Sequence, residues 1–247
     1  MARYSLHGGH NSIVQGANYG NRKEHIMDRQ IKDAVVNKLR ALGHTVYDDT
    51  DEVGTTQAQN LSNIVAKTNS HDVDLVISFH LNSYDTNANG VEVLYYDQQA
   101  LAAKVAAQLS KDIGWSNRGA KERKDLYVLA NTKAPAILIE LGFIDNEADM
   151  AKWNPDKIAN SIVYALTGQS GGATPPPPSK KNIIQSGAFS PYETPDVMGA
   201  LTSLKMTANF ILQSDGLTYF ISEPTSDAQL NGMTDYLDRK GWWYEVK

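Results

Sequence analysis

Four residues of the right chemical type fall at breaks in the apolar pattern: His10, Glu24, His80 and Glu140. Two imidazoles and a carboxylate are a common protein ligand set for catalytic zinc, with one position left for water. A further carboxylate nearby can accept that water's proton. Each residue also has an ordinary explanation. Glu24 falls in the first turn of an expected helix, where a carboxylate complements the helix dipole. Glu140 interrupts the apolar run Ala136–Leu141, and a lone Glu there can simply be paired with a cation. What links the candidates is a second run with a similar ending, since Asp74-Leu-Val-Ile-Ser-Phe-His80 terminates in an imidazole. In open α/β sheets the carboxyl ends of the strands form the ligand crevice. His7 and His25 lie beside favoured positions, so spacing alone does not choose among the histidines.

The elements that must carry these residues alternate. Tyr4–Leu6 reads as a first strand running into His7-Gly-Gly-His10, and a polar loop spans Ser12–Arg22. From about Lys23 to Leu42, Ile26, Met27, Ile31, Ala34, Val35 and Leu39 recur at helical spacing, with Gly43 placed to end the helix. Strands are predicted at Thr45–Asp48, Asp74–His80, Val91–Tyr96 and Ala136–Leu141. Helices are predicted at Gln57–Thr68, Gln98–Ile113 and Lys157–Leu166, with Gly114–Lys124 a polar loop and Leu126–Leu129 a short apolar element. Continuous apolar strands alternating with helices imply a mostly parallel twisted sheet flanked by helices on both faces. Residues 1–167 thus form one α/β domain.

A boundary follows. Residues 168–181 hold a glycine pair and four consecutive prolines, Pro175–Pro178, a tract expected to be an extended polyproline spacer. Residues 182–247 then read β-α-β-β-α-β, a small α+β domain with a four-stranded antiparallel sheet and both helices on one face. Its strands are expected at Ile183–Phe189, Ala208–Leu212, Leu217–Ile221 and Trp242–Val246, its helices at Pro195–Leu204 and Ser226–Arg239. Ser226 with Gln229 resembles a capping box. Alternation puts Trp242, Tyr244 and Val246 on one face of the last strand and Trp243 with Glu245 on the other, so Trp243 is a candidate ligand contact. A unit of this size is near the lower limit for independent folding, which leaves room for a homodimer through it.

Composition narrows the partners. A formal charge of −5 argues against nucleic acid, whose binding requires a basic face. From Lys180 onward the net charge is −2, so bulk charge attraction does not hold this module's ligand. The absence of cysteine excludes disulfides, thiolate metal sites and cysteine nucleophiles. No run approaches membrane-spanning length, and Met1-Ala-Arg-Tyr-Ser lacks a signal-peptide core, so the expectation is synthesis in a cytoplasm without membrane insertion.

Residues 2–167 resemble the type-3 zinc-dependent N-acetylmuramoyl-L-alanine amidases. That family opens with a strand running into a Gly- and His-rich turn, then a Gly-Ala pair and a Glu fourteen residues after the His. His10, Gly16-Ala17 and Glu24 reproduce this spacing. Asp74–Ser83 matches the apolar strand ending in Ser-x-His-x-Asn, and Ile139–Asn146 matches the Glu-x-Gly-Phe-x-x-Asn segment. The resemblance implies zinc on His10, Glu24 and His80, with Glu140 as acid–base residue. The first loop departs from the family, because glycines precede His10 and Asn11-Ser12 follow it, and His7 therefore stays a rival ligand.

Residues 182–247 resemble the C-terminal wall-binding module of gamma-phage-type Bacillus-phage endolysins, through Ser186–Asp196 and Leu237–Val246. The two resemblances imply a phage endolysin that cuts the muramic acid–L-alanine amide bond of peptidoglycan and is held to the wall by a polymer its C-terminal module binds. Such an enzyme is made inside the infected host and acts on the wall after release. A host autolysin of the same chemistry, a zinc peptidoglycan carboxypeptidase and a non-catalytic wall-binding protein are the alternatives.

Overall fold

The computed structural model describes residues 1–169 and 182–247, and the chain divides into two compact units, Met1–Thr174 and Pro175–Lys247. The proline tract and most of the expected spacer, 170–181, lie outside the described residues.

The first unit runs β1 Arg3–Gly8, β2 Asn18–Tyr19, β3 Arg22–Lys23, α1 Glu24–Ala41, β4 Thr45–Asp48, α2 Gln57–Asn69 and β5 Leu75–Asn82. It continues through β6 Val91–Tyr95, α3 Gln99–Ile113, β7 Asn117–Glu122, α4 Tyr127–Asn131, β8 Ala136–Phe143, α5 Glu147–Met150 and α6 Pro155–Thr167. Six strands form one sheet in the order β4-β1-β5-β8-β6-β7. Every neighbouring pair is parallel except β8 with β6. The mostly parallel α/β sheet is as expected.

Strand alternation sorts the apolar residues into two layers. Leu6, Ile77, Phe79, Val93, Ile137 and Ile139 pack with α1, α3 and α6 in the larger core. On the opposite face Val76, Leu94 and Leu138 meet Leu129 of α4, and Ile64 and Val65 of α2 pack against Val128. Helix α1 buries Met27, Ile31, Val35 and Leu39 as a single stripe. Gly43 follows it at φ +85°, the left-handed conformation of a residue that ends a helix.

Two elements depart from expectation. The stretch 114–124, expected as a loop, contains β7, whose sequence Asn-Arg-Gly-Ala-Lys-Glu has no apolar alternation. It is an edge strand paired only to β6, and edge strands are commonly charged because charge discourages pairing with another chain. The expected loop 12–22 ends in a two-residue hairpin, β2 with β3, too short to leave a periodic signature.

Past β8, two buried carboxylates organise the turn. The Asp149 Oδ2 accepts from the Gly90 and Phe143 amides at 2.7 and 3.0 Å, while Asn146 caps the Asp149 amide. Asp145 accepts from the Tyr84 and Thr86 amides. The loop after β5 is thereby fastened to the segment after β8.

The second unit contains β9 Ile184–Ser186, a 3₁₀ turn Pro191–Glu193, α7 Thr194–Ser203, β10 Ala208–Leu212, β11 Thr218–Ser222, α8 Asp227–Lys240 and β12 Tyr244–Val246. All its strand pairs are antiparallel, in the order β10-β11-β9-β12. Ser226 and Gln229 form the expected capping box. Its core gathers Ile184, Phe189, Val197, Leu201, Phe220, Met233 and Leu237. The first and last strands are shorter than expected. Trp242 stacks on Phe189 at 5.0 Å instead of entering the ladder, and β12 begins only at Tyr244. Trp243 lies just before that strand and is 64% exposed.

Asp149→Ala would strand two buried amide donors, each worth about 1–3 kcal/mol when left unmet. Urea unfolding of this variant should show a loss of about 2–4 kcal/mol, without loss of the sheet signature in circular dichroism.

Candidate metal centre

Three separate stretches of chain converge at the carboxyl edge of the sheet. β1 ends at Gly8, and the Gly9 amide donates to the Phe79 carbonyl at 3.0 Å, which lays the His10 turn against β5. Glu24 is the first residue of α1 and its side chain is almost fully buried. Glu24 Oε2 accepts from the Ala17 amide at 2.6 Å, and Oε1 accepts from the Leu81 amide at 3.0 Å. The same Oε1 lies 3.1 Å from His80 Nδ1 and 3.5 Å from His10 Nε2. One donor atom from each of His10, Glu24 and His80 lies within 4.8 Å of the other two. Among the described residues no other group of three such side chains comes together this way.

Two glycines make the convergence sterically feasible. A Cβ on Gly9 would overlap the His80 ring, and one on Gly16 would overlap Glu24 Oε2 and the His10 ring. Gly16 also sits at φ +70°, which turns the Ala17 amide onto the Glu24 carboxylate. The Gly16-Ala17 pair thus has a direct physical role.

Glu140 stands beside the cluster. It is opposite His80 in the β5–β8 register and opposite Glu92 in the β8–β6 register. The register slips between His80 and Asn82, an irregularity of the kind found next to sites. Glu140 Oε2 is buried and has no hydrogen-bond partner. Glu92 is already engaged by Asn82 and Arg118.

The charges settle accordingly. Burial pushes the Glu140 carboxyl up to about 7, against the pull of His80 and Arg123. Burial also pulls His10 down to about 4. For His80 burial acts downward too, but the Glu24 hydrogen bond and charge outweigh it and raise the imidazole to about 9. Glu24 is held below the usual carboxylate range because His80, His10 and the Ala17 amide outweigh the cost of its burial. The cluster therefore holds one carboxylate facing a protonated and a neutral imidazole. The donor set fits a zinc ion, in number, in type and in the anchoring of the carboxylate.

His7 is not part of this cluster. It is fully buried directly opposite Ser78 in the β1–β5 register, both ring nitrogens lack partners, and burial lowers its pKa to about 3. His25 lies in the first turn of α1, its amide bonded to the Gln15 carbonyl, and is also outside the cluster. Residues not anticipated from sequence include Asp28, fully buried on α1 and pushed up to about 7 by burial. Its spacing of four from Glu24 was the available signal, since such residues share a helix face. Asn60 was also unanticipated, and its side-chain amide bonds the Gly9 carbonyl at 2.8 Å.

A cleft of about 240 Å³ opens beside the cluster, lined by Gly9, His10, His80 and Glu140 together with residues of α2, α4 and the β7–α4 connection. Fold and donors define an α/β protein with a candidate cation site at its strand ends. The chain belongs to the N-acetylmuramoyl-L-alanine amidase family, whose model matches residues 6–168. The PlyG cell wall binding domain matches residues 203–246, which takes in the Leu237–Val246 ending but not the Ser186–Asp196 run.

Several relatives match more than half of the chain. An uncharacterized protein of Clostridium perfringens is 31% identical over 177 residues, 66% of this chain and 51% of that one. The probable cell wall amidase LytH of Staphylococcus aureus is 32% identical over 146 residues, 57% of this chain and 47% of LytH. The chain thus spans about half the length of these curated relatives. Among solved structures, the catalytic domain of the CD27L endolysin targeting Clostridia Difficile superposes with a TM-score of 0.62 at 28% identity. That match covers 69% of this chain and 99% of the CD27L domain. No helix among the described residues is long and apolar enough to cross a membrane.

Gly9→Ala should drive the His80 ring out of place while the rest of the sheet folds. Calorimetric titration with Zn²⁺ should show at least a tenfold loss of affinity, and an unchanged isotherm would mean that His80 is not a ligand.

Proposed function

We propose that the chain is a zinc-dependent, wall-targeted N-acetylmuramoyl-L-alanine amidase of the endolysin type, hydrolysing the amide bond between N-acetylmuramic acid and L-alanine in peptidoglycan. The observation that carries this reading is the convergence of His10, Glu24 and His80 within 4.8 Å beside the unpartnered Glu140 carboxylate. His10, Glu24 and His80 would hold the ion. Zinc supplies a Lewis acid for the scissile carbonyl and makes a water deprotonate near neutral pH.

The remaining work falls to side chains of the chain itself. Glu140, which holds its proton to about 7, is poised to take a proton from water and return one to the leaving L-alanine nitrogen. Glu24 keeps the two imidazoles facing the same centre through its fixed bonds to Ala17 and Leu81. The family match over residues 6–168 supports the bond assigned, and the wall-binding match over 203–246 supports the targeting. Residues 1–167 would carry the chemistry, 168–181 would be the spacer, and 182–247 would bind a wall polymer, with exposed Trp243 as a contact.

Mass spectrometry of purified walls digested by the intact protein tests the bond. An amidase releases free N-terminal L-alanine and leaves the glycan strands whole. A carboxypeptidase would shorten the peptides instead, and a non-catalytic binder would leave the wall unchanged. Chelation should abolish digestion and added Zn²⁺ should restore it. Full activity in protein shown to be metal-free would sink the zinc assignment.

Glu140→Gln should lower the rate by roughly 10²–10⁴-fold with zinc content retained, because it removes the base and not a ligand. His80→Ala should lose both metal and activity. Metal analysis of the two variants separates base from ligand.

Residues 182–247 fused to a fluorescent protein should fold and label susceptible walls, given their own core. Trp243→Ala should weaken that labelling while circular dichroism stays unchanged. Undiminished labelling would make Trp243 structural.

A further inference from the structure

The cleft beside the cation site is asymmetric. Its lining combines the apolar side chains of Leu61, Leu94, Leu126 and Leu138 with the carboxyl of Glu140. The one guanidinium among the lining residues, Arg123, has a side chain 44% exposed and so lies toward solvent at the rim. The Arg123 amide donates to the Tyr95 carbonyl at 2.8 Å, which fixes its backbone at the end of β6. Its side chain is fixed too, because Nε and Nη2 donate to the two oxygens of Asp125 at 2.8 Å each. That pairing uses only one edge of the guanidinium. Nη1 makes no hydrogen bond among the described residues, so the Nη1–Nη2 edge remains open. A planar guanidinium presents paired donors on such an edge, in the geometry that suits a carboxylate.

Which half of the substrate enters this cleft follows from proton transfer. This step rests on the amidase reading and on Glu140 as its acid. A general acid must lie within hydrogen-bond reach of the leaving nitrogen. The peptide half therefore departs on the Glu140 side, and Glu140 borders this cleft. The volume of about 240 Å³ has room for an alanine and the residue after it. The leucines of the lining suit the alanine methyl. The next peptide residue then reaches the rim, where a free carboxylate would meet Arg123.

We propose that Arg123 is a specificity-determining residue that binds a carboxylate of the peptide leaving group, one residue beyond the alanine. Asp125 acts as its brace. By holding the Nε edge it orients the open edge toward the cleft and limits the rotamer freedom lost on binding.

The experiment uses the whole zinc-loaded protein and two soluble substrates, N-acetylmuramoyl-L-alanyl-D-glutamate and its diamide. Wild type should prefer the dicarboxylate in kcat/KM by roughly tenfold to a hundredfold, the range for a hydrogen bond to a charged group. Arg123→Gln should abolish the preference by slowing the dicarboxylate more than the diamide, with zinc content unchanged, because the loss of its pull on Glu140 acts on both substrates alike. Arg123 is partly exposed, so the variant should fold. Equal turnover of the two substrates by wild type would overturn the proposal. So would a preference that survives in Arg123→Gln, or a variant that slows both substrates equally, since that marks a structural role. Failure to cut either soluble substrate while purified walls are cut would also overturn it, because the cleft would then not serve the peptide. Absence of new L-alanine N-termini from the walls as well would instead sink the amidase reading itself.

Discussion

The buried Glu24 carboxylate is the constraint from which the site takes its form. Removing an ionised carboxylate from water costs several kcal/mol unless its oxygens are met. Here Oε2 is met by the Ala17 amide, and Oε1 by the Leu81 amide and the two imidazoles. The partners come from three parts of the chain, so satisfying one charge ties the Gly16-Ala17 turn, the end of β5 and the His10 turn together. The close packing demanded by that arrangement is why Gly9 and Gly16 have no room for a Cβ. In the metal-free chain the carboxylate also keeps a proton on His80, raised to about 9. A cation taken up by the three side chains would replace that proton, so its affinity is coupled to pH through His80.

Glu140 has the opposite environment. Its neighbour across β6 is another carboxylate, Glu92, and Glu24 adds a second negative charge nearby. Burial and these like charges favour the protonated form, while His80 and Arg123 pull the other way. The two carboxylates of the site are thereby driven apart, Glu24 downward and Glu140 upward, which suits the two roles proposed for them. A carboxylate that stays ionised is suited to hold a cation. One balanced near neutrality can accept a proton and give it back.

Much of this was legible because polar residues at the ends of apolar strands are conspicuous. His80 and Glu140 each break a run of buried residues near its carboxyl end, and nothing in packing alone requires them. The parallel sheet followed from the same runs. What could not be read has physical reasons. β7 is a charged edge strand with no buried face to impose alternation. The limits of β12 depend on Trp242 stacking on Phe189, a contact between residues more than fifty positions apart. The residue pattern alone does not separate His7 from His10, although the spacing of the family resemblance favours His10. Only the pairing of β1 with β5 shows that His7 is enclosed beside Ser78 while His10 emerges past the strand end. Arg123 reads as one basic residue of the polar loop 114–124, and its bearing on the cleft depends on where β7 and α4 place it.

On the proposed function, the separation of the two cores bears on how wall targeting and hydrolysis would combine. Every side chain of the candidate site precedes Gly168, and the second unit closes its own core around Phe220, Met233 and Leu237. A wall-binding module linked in this way contributes by raising the local concentration of the enzyme at its substrate, not by altering the barrier of the chemical step. The thermodynamic consequence is asymmetric. Damage to the module lowers occupancy of the wall and can be offset by adding more enzyme. Damage to the Glu24 network lowers turnover at every occupancy, because no concentration effect restores a misplaced ligand. Selection can therefore exchange the address of such a protein without rebuilding its active centre, provided the chain between the units leaves both free to reach the wall.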